Sequence, residues 1–144
     1  ETDLCQLHAA KKNMRIDTLC PEDLELPINA PLLEQALVNL IINAIKYSDP
    51  DKKIVITADK AAEHINLSVK DEGFGIEHKH VDRLFERFYR VDTARSRKLG
   101  GTGLGLSIVK HIIQAHDGLI RVESKVGTGT TFTISLPLTA AETE

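Results

Sequence analysis

Three polar side chains share one face of a predicted helix in the segment LVNLIINAIKY, residues 37–47. Asn39, Asn43 and Lys46 are separated by four and three positions, a spacing that places them side by side on a helix. Asparagine carbonyl oxygens can join the ligand shell of Mg²⁺, and a lysine ammonium can meet a phosphate. The same residues would also suit an exposed polar helix face, so this segment alone leaves both interpretations open.

A second candidate is KLGGTGLGLSIVK, residues 98–110, in which glycines precede an apolar helical pattern. Glycines at a helix start can bind phosphate, because bare N–H groups and the positive helix end face the anion. A dinucleotide-binding loop needs a strand immediately before it, and here a long polar stretch precedes Gly100. The GxxxxGK[ST] loop needs a lysine after its last glycine, and Leu106 stands there. A merely flexible loop remains the alternative.

Two shorter segments carry weaker signals. DEGFGI, residues 71–76, places an acidic residue at a strand end, and a carboxylate there can accept a hydrogen bond from an exocyclic amine such as that of adenine. Taken by itself, this hexapeptide is more typical of a tight turn. GTGTTF, residues 127–132, is by itself an ordinary hairpin turn.

The elements around these segments indicate the fold class. Alternating apolar residues predict strands, and apolar residues at helical spacing predict helices. Strands and helices mix without the strict alternation of a parallel sheet, which favours a two-layer α/β sandwich with a mixed sheet. Gly118 is expected to end the last helix. The predicted strands are 14–19, 24–26, 53–60, 64–73, 119–125 and 129–138, and the predicted helices are 32–47, 76–88 in two short pieces, and 104–116.

Composition narrows the functional classes. The 144 residues carry a formal net charge of −3, so no basic footprint for nucleic acid is expected. No apolar run has the length of a membrane span. The chain begins with Glu1 rather than methionine, and we expect it to be a piece of a longer protein.

Five motifs in this order resemble those of a known family. LVNLIINAIKYSDP resembles the N box of bacterial two-component sensor histidine kinases, DEGFGI their first glycine box, LFERFYR their F box and GGTGLGLSIVK their second glycine box. GTGTTFTISLP is similar to their last glycine box. The resemblance covers residues 30–138 and implies the catalytic, ATP-binding domain of the GHKL superfamily, shared with DNA gyrase B and MutL. It implies the Bergerat fold, a mixed, mainly antiparallel five-stranded sheet with three main helices.

The resemblance implies roles for the residues that match these motifs. Asn43 matches the asparagine that coordinates Mg²⁺ on the ATP phosphates, and Asn39 lines the same site. Lys46 and Tyr47 match residues that approach the phosphates or close over the nucleotide. Arg90 matches a basic residue that can reach the terminal phosphate. The lid over the phosphates would involve Gly101, Thr102, Gly103, Leu104, Gly105 and Leu106.

The resemblance also assigns an adenine pocket. Asp71 matches the aspartate that pairs with the adenine amino group, and Thr130 is expected near the same base. Gly73, Gly75 and Ile76 shape the pocket. Phe85 and Phe88 are expected to anchor the base of the lid in the core. The lid segment, residues 91–98, is expected to be disordered without nucleotide, because it is polar and lacks an apolar stripe.

Two absences refine this prediction. Gyrase-like ATPases place a glutamate one helical turn before the Mg²⁺ asparagine, whereas Asn39 stands there and cannot act as a general base. We therefore expect slow hydrolysis and phosphoryl transfer to a protein. Histidine kinases phosphorylate a histidine in a motif like SHELRTP, which this sequence lacks. The expected organisation is a lead-in at 1–13 from a dimerisation and phosphoacceptor region, the catalytic domain at 14–138 and a polar tail at 139–144.

The implied partners are the histidine-bearing dimerisation domain of the same protein and a cognate response regulator. The isolated domain is expected to be monomeric and cytoplasmic, and its parent to be a homodimer that can be anchored in the inner membrane. Two alternatives remain open: a degenerate nucleotide-binding interaction module, and an anti-sigma-type serine kinase of the same fold.

Overall fold

A computed structural model describes residues 10, 13–19, 30–49, 51–60, 63–86 and 105–137. Helices and strands alternate irregularly along these residues. The strands are β1 (Arg15–Leu19), β2 (Lys53–Lys60), β3 (His64–Asp71), β4 (Leu119–Lys125) and β5 (Gly129–Pro137). The helices are α1 (Ala30–Lys46), α2 (His78–Val81) and α3 (Gly105–Ala115).

The five strands form one mixed sheet in the order β1-β2-β3-β5-β4. β1 pairs with β2 in parallel, and the other three neighbouring pairs are antiparallel. Helices α1 and α3 pack against each other and against the sheet, α1 on β2 and β3 and α3 on β4. The predicted two-layer α/β sandwich with a mainly antiparallel five-stranded sheet is therefore confirmed.

Helix α1 forms because its apolar residues recur every three or four positions and face the sheet. Pro31 lies in its first turn, where a missing N–H costs no helical hydrogen bond. At its other end, the buried Ser48 hydroxyl donates a 2.8 Å hydrogen bond to the carbonyl of Ala44. The buried α1 side chains are Leu33, Ala36, Leu40, Ile41, Ala44 and Ile45.

The sheet buries one face of each central strand, as the two-residue period of a strand requires. Apolar side chains occupy the face that the helices cover, and mainly polar side chains occupy the other. The buried positions of the three central strands are Ile54, Ile56 and Ala58 on β2, Ile65, Leu67 and Val69 on β3, and Phe132, Ile134 and Leu136 on β5.

Helix α3 ends differently from the prediction. The left-handed residue is Asp117, with φ of 60°, and not Gly118. The N–H of Gly118 donates to the carbonyl of Ile113 at 2.9 Å and that of Asp117 to Gln114 at 3.0 Å, which is a Schellman ending. Gly118 is required by packing, since a Cβ there would lie 2.7 Å from the carbonyl oxygen of Ser135.

Other predicted elements differ in extent. The strand predicted over 64–73 ends at Asp71. In the segment 76–88, helix α2 has four residues and the chain continues as turns through 82–85. The predicted strand 24–26, Phe88 and the predicted lid 91–98 lie outside the described residues. None of the helices in the described part of the chain combines the length and apolar character that crossing a membrane requires.

Candidate functional site

The candidate site lies where β3 ends and β5 begins, and these two strands are neighbours in the sheet. Asp71 follows Val69 by two positions, so its side chain lies on the face that the helices cover. Thr130 precedes Phe132 by two positions and lies on the same face. Both are buried, at 5% and 6% exposure, among the apolar side chains of the core. Asp71 and Thr130 are thus polar residues at positions where the strand pattern predicts apolar ones.

The Asp71 carboxylate is held by backbone groups on one of its oxygens. Oδ1 accepts hydrogen bonds from the N–H of Gly73 at 2.8 Å and from the N–H of Thr130 at 3.0 Å. Burial raises the pKa of Asp71 above its ordinary value, and the two hydrogen bonds oppose that rise. Within the described residues no group donates to Oδ2. The second oxygen therefore keeps its capacity to accept a hydrogen bond.

The loop after Asp71 packs against the end of α1. The N–H of Phe74 donates to the carbonyl of Tyr47 at 3.0 Å. A Cβ at Gly73 would overlap that same carbonyl oxygen, and it would lie 2.9 Å from Ser48 Oγ. Only glycine permits this approach of loop to helix. The close approach of the Tyr47 carbonyl therefore explains why a glycine stands at position 73.

The other side of the loop packs against the turn between β4 and β5. Gly75 has φ of 79°, and a Cβ there would overlap the carbonyl of Lys125. The N–H of Gly127 donates to the carbonyl of Phe74 at 2.8 Å. The loop is therefore held from both sides, by α1 and by the hairpin, and the carboxylate orientation is fixed before any ligand arrives.

Ser124 is a residue of this site that the sequence reasoning missed. Its Oγ accepts from the N–H of Ile76 at 2.7 Å, donates to the carbonyl of Gly129 at 3.1 Å and lies 2.7 Å from Thr130 Oγ1. The register places Ser124 directly opposite Thr130. A signal was present: Ile120 and Val122 alternate on the core face of β4, and Ser124 continues that alternation with a hydroxyl.

The polar residues of α1 lie on the same helix that holds the loop. Asn39, Asn43, Lys46 and Tyr47 are all partly buried. Neither asparagine amide has a hydrogen-bond partner among the described residues. Because a helix rises 1.5 Å per residue, Asn43 lies about 6 Å along the axis from Tyr47 and the loop that contacts it. The amide oxygens of both asparagines are thus unengaged among the described residues, on the helix whose end contacts the loop after Asp71.

The second glycine box is only partly described. Gly105 is the first residue of α3 and exposed, and a Cβ there would meet nothing within 4 Å. Leu106 packs against the core. The aromatic ring of Phe85 packs edge-on against Phe132 at 6.1 Å, as expected of an anchor in the core. The other predicted lid and phosphate residues, which are Arg90, Gly101, Thr102, Gly103 and Leu104, lie outside the described residues.

The sequence that forms this site matches a known protein family. The profile of the family described as histidine kinase-, DNA gyrase B-, and HSP90-like ATPase matches residues 28–140. The chain belongs to this family. The matched region contains the Asp71 pocket, the asparagines of α1 and the glycine-rich segment, so the ATPase domain that the motifs predicted is confirmed.

Curated relatives of this ATPase domain are sensor kinases. The sensor-like histidine kinase SenX3 of Mycobacterium tuberculosis (strain ATCC 25618 / H37Rv) is 46% identical over 129 residues, which are 90% of this chain. Sensor histidine kinase WalK of Bacillus subtilis (strain 168) is 48% identical over 124 residues, which are 85% of this chain. The chain spans 32% of the length of SenX3 and 20% of the length of WalK.

Solved structures share the fold of the ATPase domain. The crystal structure of full-length ShkA in complex with AMPPNP superposes with a TM-score of 0.81 at 28% identity. That superposition covers 94% of this chain and 28% of ShkA.

Proposed function

We propose that this chain binds Mg·ATP and donates the γ-phosphoryl group to a histidine on a separate dimerisation domain of the same protein. The observation that carries the proposal is the Asp71 carboxylate, buried, held through Oδ1 and open for a hydrogen bond at Oδ2. In this proposal the domain works on the cytoplasmic side of a homodimeric sensor, and the phosphoryl group passes on to a response regulator.

The base of the nucleotide would lie against Asp71. A buried carboxylate that is held on one oxygen can accept from the 6-amino group of adenine with the other. Gly73 and Gly75 let the loop turn beside the base, and Ile76, which packs against the core, supplies an apolar contact. ShkA shares this fold and its crystal structure is described in complex with AMPPNP, which supports a nucleotide as the ligand.

The phosphates and Mg²⁺ would lie along α1. No three His, Cys, Asp or Glu side chains among the described residues converge into a group that could hold a metal. Mg²⁺ commonly keeps several waters and takes the rest of its ligands from substrate phosphates and a few protein oxygens. The unengaged amide oxygens of Asn43 and Asn39 suit that demand, and Mg²⁺ there would neutralise charge on the transferring phosphoryl group.

The neutral side chain of Asn39 on α1 favours phosphoryl transfer to a protein over hydrolysis of ATP. A water attack needs a general base near the terminal phosphate, and the amide of Asn39 is neutral. Lys46 can add positive charge near the phosphates, and we assign Arg90 the same role from the motif. Positioning and charge neutralisation supply most of phosphoryl-transfer catalysis, so these parts suffice when the acceptor histidine brings its own nucleophilic nitrogen.

The proposal is tested by mixing this chain with the histidine-bearing domain of the full-length protein and γ-labelled Mg·ATP. We expect label on that domain that acid removes and base does not, and no label when the acceptor histidine is changed to glutamine. Label that base removes and acid does not would indicate a serine kinase instead. Tight Mg·ATP binding without any transfer would indicate a nucleotide-binding interaction module.

A further inference from the structure

The strand β4 lies at one side of the sheet, and only one of its two edges is paired. The strand order places it outermost, next to β5 alone. Among the described residues, the backbone of 119–124 makes no hydrogen bond outside its pairing with β5. Unpaired N–H and C=O groups on an outer strand can pair with a strand of another chain. β4 is therefore a candidate interaction surface that the proposed function does not use.

Two opposite charges on β4 lack partners within the described part of the chain. Arg121 and Glu123 are exposed and alternate with residues that pack against the core. Neither of them forms an ion pair or a hydrogen bond there, and both of their neighbours on β5 are threonines. On β1, by contrast, Arg15 and Asp17 have the same spacing and form a 3.2 Å ion pair with each other. The charges of β4 are thus available to a second chain.

Pairing of β4 with β4 of a second copy would bring these charges together. Consider an antiparallel pair about a two-fold axis that passes through Val122 perpendicular to the sheet. Arg121 of each copy then lies opposite Glu123 of the other, and all seven residues of the strand are paired. Opposite charges that face each other across strands stabilise the pair. An axis at Arg121 or at Glu123 would instead place that residue opposite its own copy.

The other outer strand, β1, does not suit such a pairing. A two-fold axis at its central residue would place the Asp17 carboxylates of two copies directly opposite each other. Like charges at opposite positions destabilise a strand pair. The sequence of β4 is therefore self-complementary in charge, and that of β1 is not.

Apolar side chains at the end of β4 fit the same arrangement. Leu119 is 71% exposed, and Val126, which follows the strand, is 61% exposed. In the register about Val122, Leu119 lies opposite Lys125 of the second copy, beside Val126 of that copy. The methylene stem of a lysine can cover an apolar side chain while its ammonium stays in water. The pairing would therefore cover apolar surface as well as join opposite charges.

We propose that β4 is a self-association edge, at which two copies of this chain join their sheets into one continuous sheet. This inference stands apart from the proposed function, because it involves no nucleotide. Seven residues on each side make a small contact, of the size class of transient interfaces. The isolated chain is therefore expected to be monomeric at micromolar concentration and to pair at about millimolar concentration. In a homodimeric sensor, tethering would bring two copies to an effective concentration of about that size.

The test measures the self-association of this chain by sedimentation velocity over a concentration series that reaches about 1 mM. Arg121→Glu and Glu123→Arg each place like charges across the axis and should each weaken the dimer about tenfold or more. The double variant Arg121→Glu/Glu123→Arg restores opposite charges and should dimerise like the unaltered chain. An equimolar mixture of the two single variants should also dimerise, because each supplies the charge that the other lacks.

Lys60→Glu is the matched control, since it reverses a charge at an exposed position of β2, three strands away from β4. It should leave the dimer unchanged, and thermal unfolding checks that every variant is folded. A chain that stays monomeric throughout the series would overturn the inference, and the charges of β4 would then only protect an outer strand from pairing. Single variants that dimerise as tightly as the unaltered chain, or a loss that neither the double variant nor the mixture reverses, would also overturn it. Failure to bind Mg·ATP would contradict the proposed function alone.

Discussion

The backbone N–H of Thr130 donates a 3.0 Å hydrogen bond to Oδ1 of Asp71, although 59 positions separate the two residues. This bond joins the end of β3 to the last hairpin. Together with the N–H of Gly73 it occupies one carboxylate oxygen and leaves the other for a ligand. In the proposed complex, a preorganised acceptor of this kind would need no rearrangement to bind the base.

Gly73→Ala should destabilise the fold by about 1–3 kcal/mol, because the new Cβ would overlap the Tyr47 carbonyl and force the loop away from α1. The measurement is chemical denaturation. Gly105→Ala is the matched control: its Cβ meets nothing within 4 Å at the start of α3, so the variant should be as stable as the original chain or more so. Equal stability of the Gly73 and Gly105 variants would contradict the assigned packing.

Asn43→Ala should reduce Mg²⁺-dependent ATP affinity about tenfold or more, because it removes an unengaged amide oxygen from the proposed ligand set. The measurement is ATP titration with and without Mg²⁺. Gln35→Ala, at an exposed position of the same helix, should change neither titration. An Asn43 variant with full Mg²⁺ dependence would remove this residue from the metal site.

The chain should hydrolyse ATP slowly, because Asn39 offers no general base. Asn39→Glu supplies a carboxylate there and should raise the steady-state rate, by up to about 10²-fold if the new base is well placed. Asn39→Gln keeps the side chain neutral and should not raise it. Rapid phosphate release by the unaltered chain would contradict the account of transfer over hydrolysis.

Much of this site could be predicted from the sequence because strand periodicity and motif order are local signals. The helical face of Asn39 and Asn43 and the strand end at Asp71 were found in this way. The partners of Asp71 depend on the pairing register of β3 with β5, which no local pattern specifies. Ser124 was missed for the same reason, since its role appears only when it lies opposite Thr130. Asp117 took the left-handed position because its short polar side chain tolerates that conformation.

ATP affinity should decrease as the pH falls through the raised pKa of Asp71, since protonation puts a hydrogen where an acceptor is needed. The decrease in affinity is expected at pH values above 3.8, which is the ordinary pKa of an aspartate side chain. Titrations across mildly acidic pH measure the effect, and Asp71→Asn should lack this component while retaining the titration of the ATP phosphates. Identical pH profiles would show that Asp71 does not contact the base.

The raised pKa of Asp71 also affects the stability of the fold, and there lower pH is favourable. A carboxyl whose pKa is higher in the folded than in the unfolded state binds protons preferentially when folded. Its stabilising contribution is present below 3.8 and is lost as the pH rises through the raised value. At neutral pH the buried charge therefore costs stability. An asparagine in place of Asp71 can keep the hydrogen bonds from Gly73 and Thr130 without that charge.

Calorimetric titration of Asp71→Asn with Mg·ATP, paired with its thermal unfolding, tests the central claim most directly. The variant should lose about tenfold or more in affinity, because an amide presents a donor to the adenine amine, and should unfold at the same or a higher temperature. Asp59→Asn, at an exposed position of β2, should retain full affinity. Unchanged Mg·ATP affinity in a folded Asp71→Asn variant would contradict the assignment of this pocket to adenine.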